Sequence, residues 1–365
     1  MTSPIPLYKP WLTDKEEKYV SECMKSTWIS SKGKFVEEFE RCFSEYVGSP
    51  YATTICNGTA ALHLALLSLG LKAGDEVIVP TLTYIASVNA ITYVGATPVF
   101  CEIDKNTWQL DPKDVEKRIS SKTKAILAVH LYGHPCDMDK LVAVSQKNNI
   151  FLIEDCAEAI GSKFNNKHVG NFGHVSTFSF YGNKTITTGE GGMVTTSDPH
   201  IYHFIKKAKG QGLSETREYW HDSIGYNYRM TNICCAIGLA QLEKINEILK
   251  KKREIAHRYA YNFKNYPITF HEESSSSVHS YWICSILLPS PQECVNARLL
   301  LKDNSVETRP LFPPIHLMPI YEGSSGDYVI SEDISERGFN LPSYPELTFD
   351  QVDYISNLVI QALKK

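Results

Sequence analysis

The 365-residue sequence lacks the features that mark membrane, secreted and nucleic-acid-binding proteins. No apolar run approaches the roughly 20 residues that a membrane-spanning helix needs. Lysine and arginine total 37 against 41 acidic residues, and because these charges are spread along the chain we expect neither nucleic-acid nor membrane binding. The first ten residues carry no charged start followed by an apolar stretch, as a secretory signal would, so a cytoplasmic location is expected.

Sequence patterns for disulfides, metals and several common enzyme classes are also missing. The ten cysteines include no Cys-x-x-Cys pair, and several lie in apolar runs, which predicts buried free thiols in a reducing compartment. The histidines His63, His130, His134 and His203 lack metal-ligand spacing, so no metal is predicted. No dinucleotide fingerprint, P-loop, Gly-x-Ser-x-Gly or His-Glu-x-x-His motif occurs.

Short apolar runs alternate with helical patterns between residues 76 and 155. This alternation predicts strands at 76–80, 97–104, 123–131 and 150–155, and helices at 83–94, 112–121 and 137–148. Such an order is typical of βαβ units. The predicted fold is therefore α/β, with a mainly parallel sheet sandwiched by helices.

The segments around this core predict further elements and a second domain. The predicted elements are helices in the first fifty residues with Thr13 and Glu16 as a capping box, strands and tight turns over 161–192, a long helix over about 233–258, strands over 278–288 and 306–311, and a closing helix over 349–363. We expect a large domain over residues 1–249 and a smaller α+β domain over 250–365.

Two segments at predicted strand ends could bind a charged ligand, because ligands of open α/β sheets lie at the carboxyl ends of the strands. Asn57 can cap an apolar helix whose next residues, Gly58 and Thr59, leave backbone amides free for a phosphate. Asp155 ends an apolar strand and could pair with a buried cation. The structural alternatives are a plain capped helix for the first and a turn cap for the second.

Lys184 lies between a strand with alternating hydroxyl side chains, 176–181, and a glycine-rich turn, 187–192. A lysine amine held rigidly away from water can form a Schiff base with a carbonyl compound. The structural alternative is an ordinary solvated surface lysine, but the surrounding Phe and Gly residues favour the first interpretation. A phosphate cradle, an acid for a ring nitrogen and a Schiff-base lysine are together the requirements of pyridoxal 5'-phosphate (PLP).

From Trp28 to Tyr344 the sequence resembles the DegT/StrS-type sugar-nucleotide aminotransferases, a branch of the fold-type I PLP enzymes. The stretches that carry the resemblance are 27–33 (TWISSKG), 80–87 (PTLTYIAS), 180–192 (FYGNKTITTGEGG) and 225–232 (GYNYRMTN). The resemblance implies an aspartate-aminotransferase-like fold with a smaller C-terminal domain.

The resemblance also implies roles for individual residues. Lys184 would form the Schiff base with PLP and carry the proton of the reaction, and Asp155 would bind the pyridinium nitrogen. The other implied cofactor contacts are Tyr84 stacked on the ring, Glu158 near the phenolic oxygen, Gly58, Thr59 and Ser179 at the phosphate, and Asn227 at the phosphate of the neighbouring subunit. A contact from a neighbouring subunit implies a homodimer with shared active sites, and a tetramer stays open.

For the substrates, the resemblance implies contacts by His316, Arg309 and Trp28, although a proline-rich turn with a core histidine is the alternative at 309–316. Many relatives have His at the position of Tyr181 and Gln at that of Glu158, and family dehydratases have His in place of Lys184. The resemblance favours transfer of the amino group of L-glutamate to C4 of GDP-4-keto-6-deoxy-D-mannose, for lipopolysaccharide O-antigen biosynthesis. The alternatives are a transaminase, dehydratase or other lyase for a UDP- or dTDP-linked keto-sugar, and a non-enzymatic binding protein.

Overall fold

The computed structural model describes residues 4–323 and 326–363. Over these residues the helices are α1 (Asp14–Ser26), α2 (Lys34–Val47), α3 (Gly58–Ser68), α4 (Ile85–Tyr93), α5 (Pro112–Arg118), α6 (Met138–Asn148), α7 (Pro199–Ala208), α8 (Asn232–Glu243), α9 (Ile245–Phe263), α10 (Pro291–Asp303), α11 (Val329–Arg337) and α12 (Phe349–Ala362). None of these helices is both long and apolar enough to cross a membrane.

The strands of the same residues form three sheets. They are β1 (Tyr51–Ile55), β2 (Glu76–Pro80), β3 (Thr97–Cys101), β4 (Thr123–Val129), β5 (Phe151–Asp155), β6 (Lys163–Phe164), β7 (Lys167–His168), β8 (Val175–Ser179), β9 (Gly192–Thr196), β10 (Thr269–Phe270), β11 (Ser277–Val278), β12 (Cys284–Leu287), β13 (Arg309–Pro310) and β14 (Gly338–Leu341).

The largest sheet has seven strands in the order β1-β9-β8-β5-β4-β2-β3. All neighbouring pairs are parallel except those of β9, which runs antiparallel to β1 and to β8. Successive side chains of β4 point to opposite faces of the sheet and pack in different apolar clusters. Ile126 packs with residues of α5 and α6, and Leu127 packs with residues of α3, α4 and α7. Both faces are therefore buried under helices, which confirms the predicted α/β architecture.

Local signals in the sequence set several helix ends as predicted. Thr13 and Glu16 form the capping box of α1, and Asn57 Oδ1 accepts the N–H of Ala60 at 2.9 Å to cap α3. Asp111 caps α5, whose first residue is a proline. These side chains satisfy amides that have no carbonyl partner in the first helical turn.

Several predicted elements are a few residues shorter in the structure, and three differ more strongly. The helix predicted over 233–258 is divided at Lys244, which ends α8 with a non-helical backbone before α9 begins. The strand predicted over 278–288 is divided into β11 and β12, which belong to separate sheets, because Tyr281 between them has a φ of +49°. Of the strand predicted over 306–311, only β13 forms, while Val306 makes an isolated bridge with Ile5.

The C-terminal part is built on the four-stranded antiparallel sheet β10-β12-β14-β13. Side chains of α9, α10 and α12 pack against it in one apolar cluster, which Ile5 from the start of the chain joins. The division predicted at residues 249 and 250 lies within α9, and it stays a prediction.

Three buried histidines join the C-terminal part to the large sheet. The ring centroids of His134, His271 and His279 lie 5.1 to 5.4 Å apart, and Trp108 stacks on His271 at 4.1 Å. Burial lowers the pKa of His134 to about 4 and that of His271 to about 3, and it holds the pKa of His279 well below its usual value. The folded protein therefore holds all three rings neutral.

We expect this cluster to make the protein sensitive to mild acid. Below pH 6.5 the unfolded chain binds protons at these histidines, while the folded chain binds none at His134 until about pH 4 or at His271 until about pH 3. The free energy of unfolding therefore falls as the pH falls, by up to about 1.4 kcal/mol per pH unit for each of these two histidines. Thermal unfolding midpoints measured from pH 7 to pH 5 should decline less steeply in His271→Gln than in the wild type. His203→Gln, a change at an exposed histidine, is the control; equal slopes in all three proteins would contradict the prediction.

Candidate active site

A cavity of about 730 Å³ opens at the carboxyl ends of the central parallel strands. This volume is in the range of small-molecule sites. Eight of the residues predicted to bind cofactor or substrate line it: Gly58, Thr59, Tyr84, Asp155, Glu158, Ser179, Lys184 and Arg309. They come from five separate stretches of the chain, which the fold brings to one place.

Asp155, at the end of β5, is one of the acids that face the cavity. Its Oδ2 accepts a hydrogen bond from Ser87 at 2.7 Å, and its Oδ1 accepts the N–H of Ala157 at 3.0 Å. Only 4% of the residue is exposed. A buried carboxylate held in this way can accept a hydrogen bond from a protonated ring nitrogen and favour its charge.

Glu154, the preceding residue, points to the opposite face of the sheet because side chains alternate along a strand. Its two oxygens accept hydrogen bonds from the N–H groups of Gly170, Phe172 and Gly173 and from His130. Burial acts to raise the pKa of Glu154, but His130 and the N–H groups hold it below its usual value. His130, Glu154 and Cys156 offer ligand-type atoms within 4.8 Å of one another, but the carboxylate already holds the 170–173 turn.

The first turn of α3 makes a narrow cradle next to β8. A Cβ added at Gly58 would lie 2.9 Å from Cβ of Ser179, and one added at Gly192 would lie 2.7 Å from the carbonyl oxygen of Asn57. The first backbone amides of a helix have no carbonyl acceptor within the helix. In α3 the side chain of Asn57 accepts the amide of Ala60, which leaves the amides of Gly58 and Thr59 free for a ligand. Together with the hydroxyl of Ser179 these amides suit a phosphate group.

Lys184 enters the cavity from the turn after β8, with 12% of its side chain exposed. Its Nζ lies 3.3 Å from Oε1 of Glu158, and Glu158 Oε2 accepts the N–H of Tyr132 at 2.8 Å. Burial raises the pKa of Glu158, against the opposing charge of Lys184. Glu158 therefore takes up a proton more readily than an ordinary carboxyl group, while Lys184 beside it favours the ionised form.

Tyr84 and Arg309 lie at the open side of the cavity. Tyr84 is 55% exposed, and its ring centroid lies 5.5 Å from that of Phe312. Arg309 in β13 makes a loose ion pair with Glu307, at 3.6 Å. An exposed aromatic ring and a guanidinium at the mouth of a site can contact the ring and the anionic groups of ligands.

Three predicted site residues do not line the cavity. His316 instead lies 2.7 Å from Thr81 Oγ1 and 3.1 Å from Glu332, with 8% of its side chain exposed. Trp28 and Asn227 are exposed elsewhere on the surface. Two contacts stay predictions: that of Asn227 with the phosphate of a neighbouring subunit, and that of His316 with the substrate.

Sequence reasoning assigned no role to three residues that act in this site. Ser87 binds Asp155, and it follows Tyr84 by one helical turn, which was the available signal. Trp282 contacts Asn183, and Tyr8 contacts Lys184. Their sequence separation of more than 90 residues leaves no local pattern that could have identified them.

The chain is similar to known proteins over nearly its whole length. Residues 10–360 match the DegT/DnrJ/EryC1/StrS aminotransferase family. The chain is 57% identical to a GDP-perosamine synthase of Escherichia coli O157:H7, covering 96% of each chain, and 48% identical to one of Vibrio cholerae, covering 97% and 98%. A Streptococcus pneumoniae protein named as a sugar aminotransferase, solved in PLP and PMP forms, superposes with a TM-score of 0.94 at 28% and 29% identity and 99% coverage of both chains.

Proposed function

The chain belongs to the DegT/DnrJ/EryC1/StrS aminotransferase family and is a PLP-dependent sugar aminotransferase, and on this basis we propose that it makes GDP-perosamine. The amino group of L-glutamate is transferred to C4 of GDP-4-keto-6-deoxy-D-mannose, and 2-oxoglutarate is released. The observation that carries this proposal is that Lys184 and Asp155 face one cavity in a chain 57% identical to a GDP-perosamine synthase. The product would enter lipopolysaccharide O-antigen biosynthesis.

The alternatives from the sequence have less support. A dehydratase of this family would have histidine in place of Lys184, and the similar synthases of two organisms do not favour a UDP- or dTDP-linked substrate. A purely binding protein would not need a lysine and two acids to be buried around one cavity.

The residues of the cavity fit PLP. The close approach of Gly58 to Ser179 leaves no place for a side chain at residue 58, so the first turn of α3 and the hydroxyl of Ser179 lie together as a phosphate site requires. Asp155 offers a buried carboxylate for the ring nitrogen. Tyr84 would cover the ring and Glu158 would lie near its phenolic oxygen. Bound PLP supplies an electron sink for the carbon that loses its proton.

Lys184 performs two tasks in this proposal. It would hold PLP covalently, and its free amine would take the proton from the amino donor and later give a proton to C4 of the sugar. Glu158, at 3.3 Å, stabilises the ammonium that forms after each proton uptake. Ser87 and the amide of Ala157 keep Asp155 fixed in orientation, so its charge needs no reorganisation during the reaction.

We also infer that the enzyme works as a cytoplasmic homodimer. Asn227 and Trp28, which are exposed in one chain, would reach the phosphate and the substrate in the partner's cavity. The ten cysteines are free thiols, as a reducing compartment requires. Arg309 would contact the substrate within its own chain.

The test is an assay of the purified protein loaded with PLP. With L-glutamate and GDP-4-keto-6-deoxy-D-mannose we expect GDP-perosamine and 2-oxoglutarate in equal amounts. The UDP- and dTDP-linked 4-keto-6-deoxy sugars should give a kcat/KM at least about tenfold lower, since discrimination rests on contacts to the nucleotide. Faster turnover of either sugar, or loss of water without nitrogen transfer, would overturn the proposal.

A further inference from the structure

Two aromatic residues hold the backbone around Lys184 from outside its own turn. The indole Nε1–H of Trp282 donates to the carbonyl oxygen of Asn183 at 2.6 Å, and the hydroxyl of Tyr8 donates to the carbonyl oxygen of Lys184. Trp282 follows β11 in the C-terminal part, and Tyr8 belongs to the N-terminal segment. Consecutive carbonyls are thus fixed by two remote parts of the chain.

Trp282 also contacts the reactive end of the lysine. Nζ of Lys184 lies 4.0 Å from the centroid of the Trp282 ring and 3.3 Å from Oε1 of Glu158. Trp282 is 6% exposed, and its ring is stacked in parallel with that of Tyr132. The contact with Lys184 is therefore largely shielded from water, which is the condition under which a cation and an aromatic face attract each other most strongly.

We propose that Trp282 is a positioning residue for Lys184: its N–H fixes the turn that carries the lysine, and its ring holds the ammonium beside Glu158 whenever the amine is free. This inference rests on the proposed function. A lysine that alternates between a covalent bond and proton transfer needs a fixed place for its free amine. Without one, the long flexible side chain would have to give up conformational entropy before each step.

Other charged groups of the cavity do not replace this contact. Glu158 attracts the ammonium from one side only. The remaining titratable side chains that line the cavity are His63, Tyr84, Tyr93, Asp155, Tyr181, Glu190, Tyr228 and Arg309. Asp155 is engaged by Ser87 and Ala157, and Arg309 repels a cation. Trp282 is the side chain that binds both the backbone of the turn and the amine.

The experiment compares Trp282→Leu, which loses both contacts, with Trp282→Phe, which keeps a ring face but loses the N–H. Trp282→Leu should lower kcat about tenfold or more with the KM for both substrates nearly unchanged, and Trp282→Phe should recover part of the loss. In the cofactor-free protein, the rate at which added PLP gives its protein-bound absorption band should fall in the same order.

Trp11→Leu is the matched control, since Trp11 lies over Lys244 and Lys251 outside the cavity and should change neither rate. Unfolding midpoints show whether a variant has simply lost its fold. If Trp282→Leu folds and forms the band and the product at wild-type rates, or if it raises KM instead of lowering kcat, the inference fails while the proposed function stands. If Lys184→Ala in the same series still forms product, the proposed function itself fails.

Discussion

Lys184→Ala is expected to lower kcat for amino transfer by at least about 10³-fold while the protein stays folded. The change removes both the covalent anchor of PLP and the group that moves the proton. The fold should tolerate it because Glu158, the partner of Lys184, can take up a proton: burial already raises its pKa, and loss of the opposing charge of Lys184 raises it further. No buried charge is then left without a partner.

The measurement is turnover with both substrates, together with the absorption spectrum after PLP is added and the thermal unfolding midpoint. Lys184→Arg is a useful companion, because arginine keeps a cation next to Glu158 but forms no Schiff base and gives up no proton. Both variants should lose the protein-bound absorption band, and added methylamine should restore part of the turnover of Lys184→Ala only. A variant that transfers nitrogen at near wild-type rate would remove Lys184 from the mechanism.

The sequence predicted the parallel core well because its signals are local. The strands around β2, β4 and β5 are short apolar runs between capped helices, and each capping side chain lies within a few residues of the amide it binds. The same reasoning identified Asp155 and Lys184, which lie at a strand end and in a glycine-rich turn. Residues of this kind reveal their position through their immediate neighbours.

Features that depend on distant contacts were predicted poorly. The strand predicted over 278–288 is interrupted because Tyr281 stacks on His279 at 3.9 Å and adopts a positive φ, which no periodic pattern indicates. The bonds of His316 to Thr81 and Glu332, which lie 235 and 16 residues away in the sequence, also have no local signal, and its contact with the substrate stays a prediction. The contact of Trp282 with the turn of Lys184 spans 99 residues and has no local signal either.

Asp155→Asn is expected to reduce kcat by about 100- to 1000-fold with little change in stability. Asparagine cannot supply the negative charge that keeps a ring nitrogen protonated, yet its oxygen can still accept one of the two hydrogen bonds that Asp155 makes. The hydroxyl of Ser87, now opposite an amide group, can rotate and accept in turn. Turnover and thermal unfolding are measured on the same preparation, and Asp155→Glu, which restores the charge, should recover part of kcat.

Glu154→Gln is the matched control, and it should have the opposite profile. Each oxygen of Glu154 accepts at least two hydrogen bonds. In the glutamine variant an NH2 group replaces one of these oxygens and faces N–H donors, which should cost about 3 kcal/mol of unfolding free energy. The unfolding midpoint should fall by several degrees, with kcat of the folded fraction nearly unchanged. The two neighbouring acids would then have different roles because they lie on opposite faces of β5, and of the two only Asp155 faces the cavity. If Glu154→Gln lost kcat without losing stability, or Asp155→Asn lost stability without losing kcat, the roles derived from that alternation would be wrong.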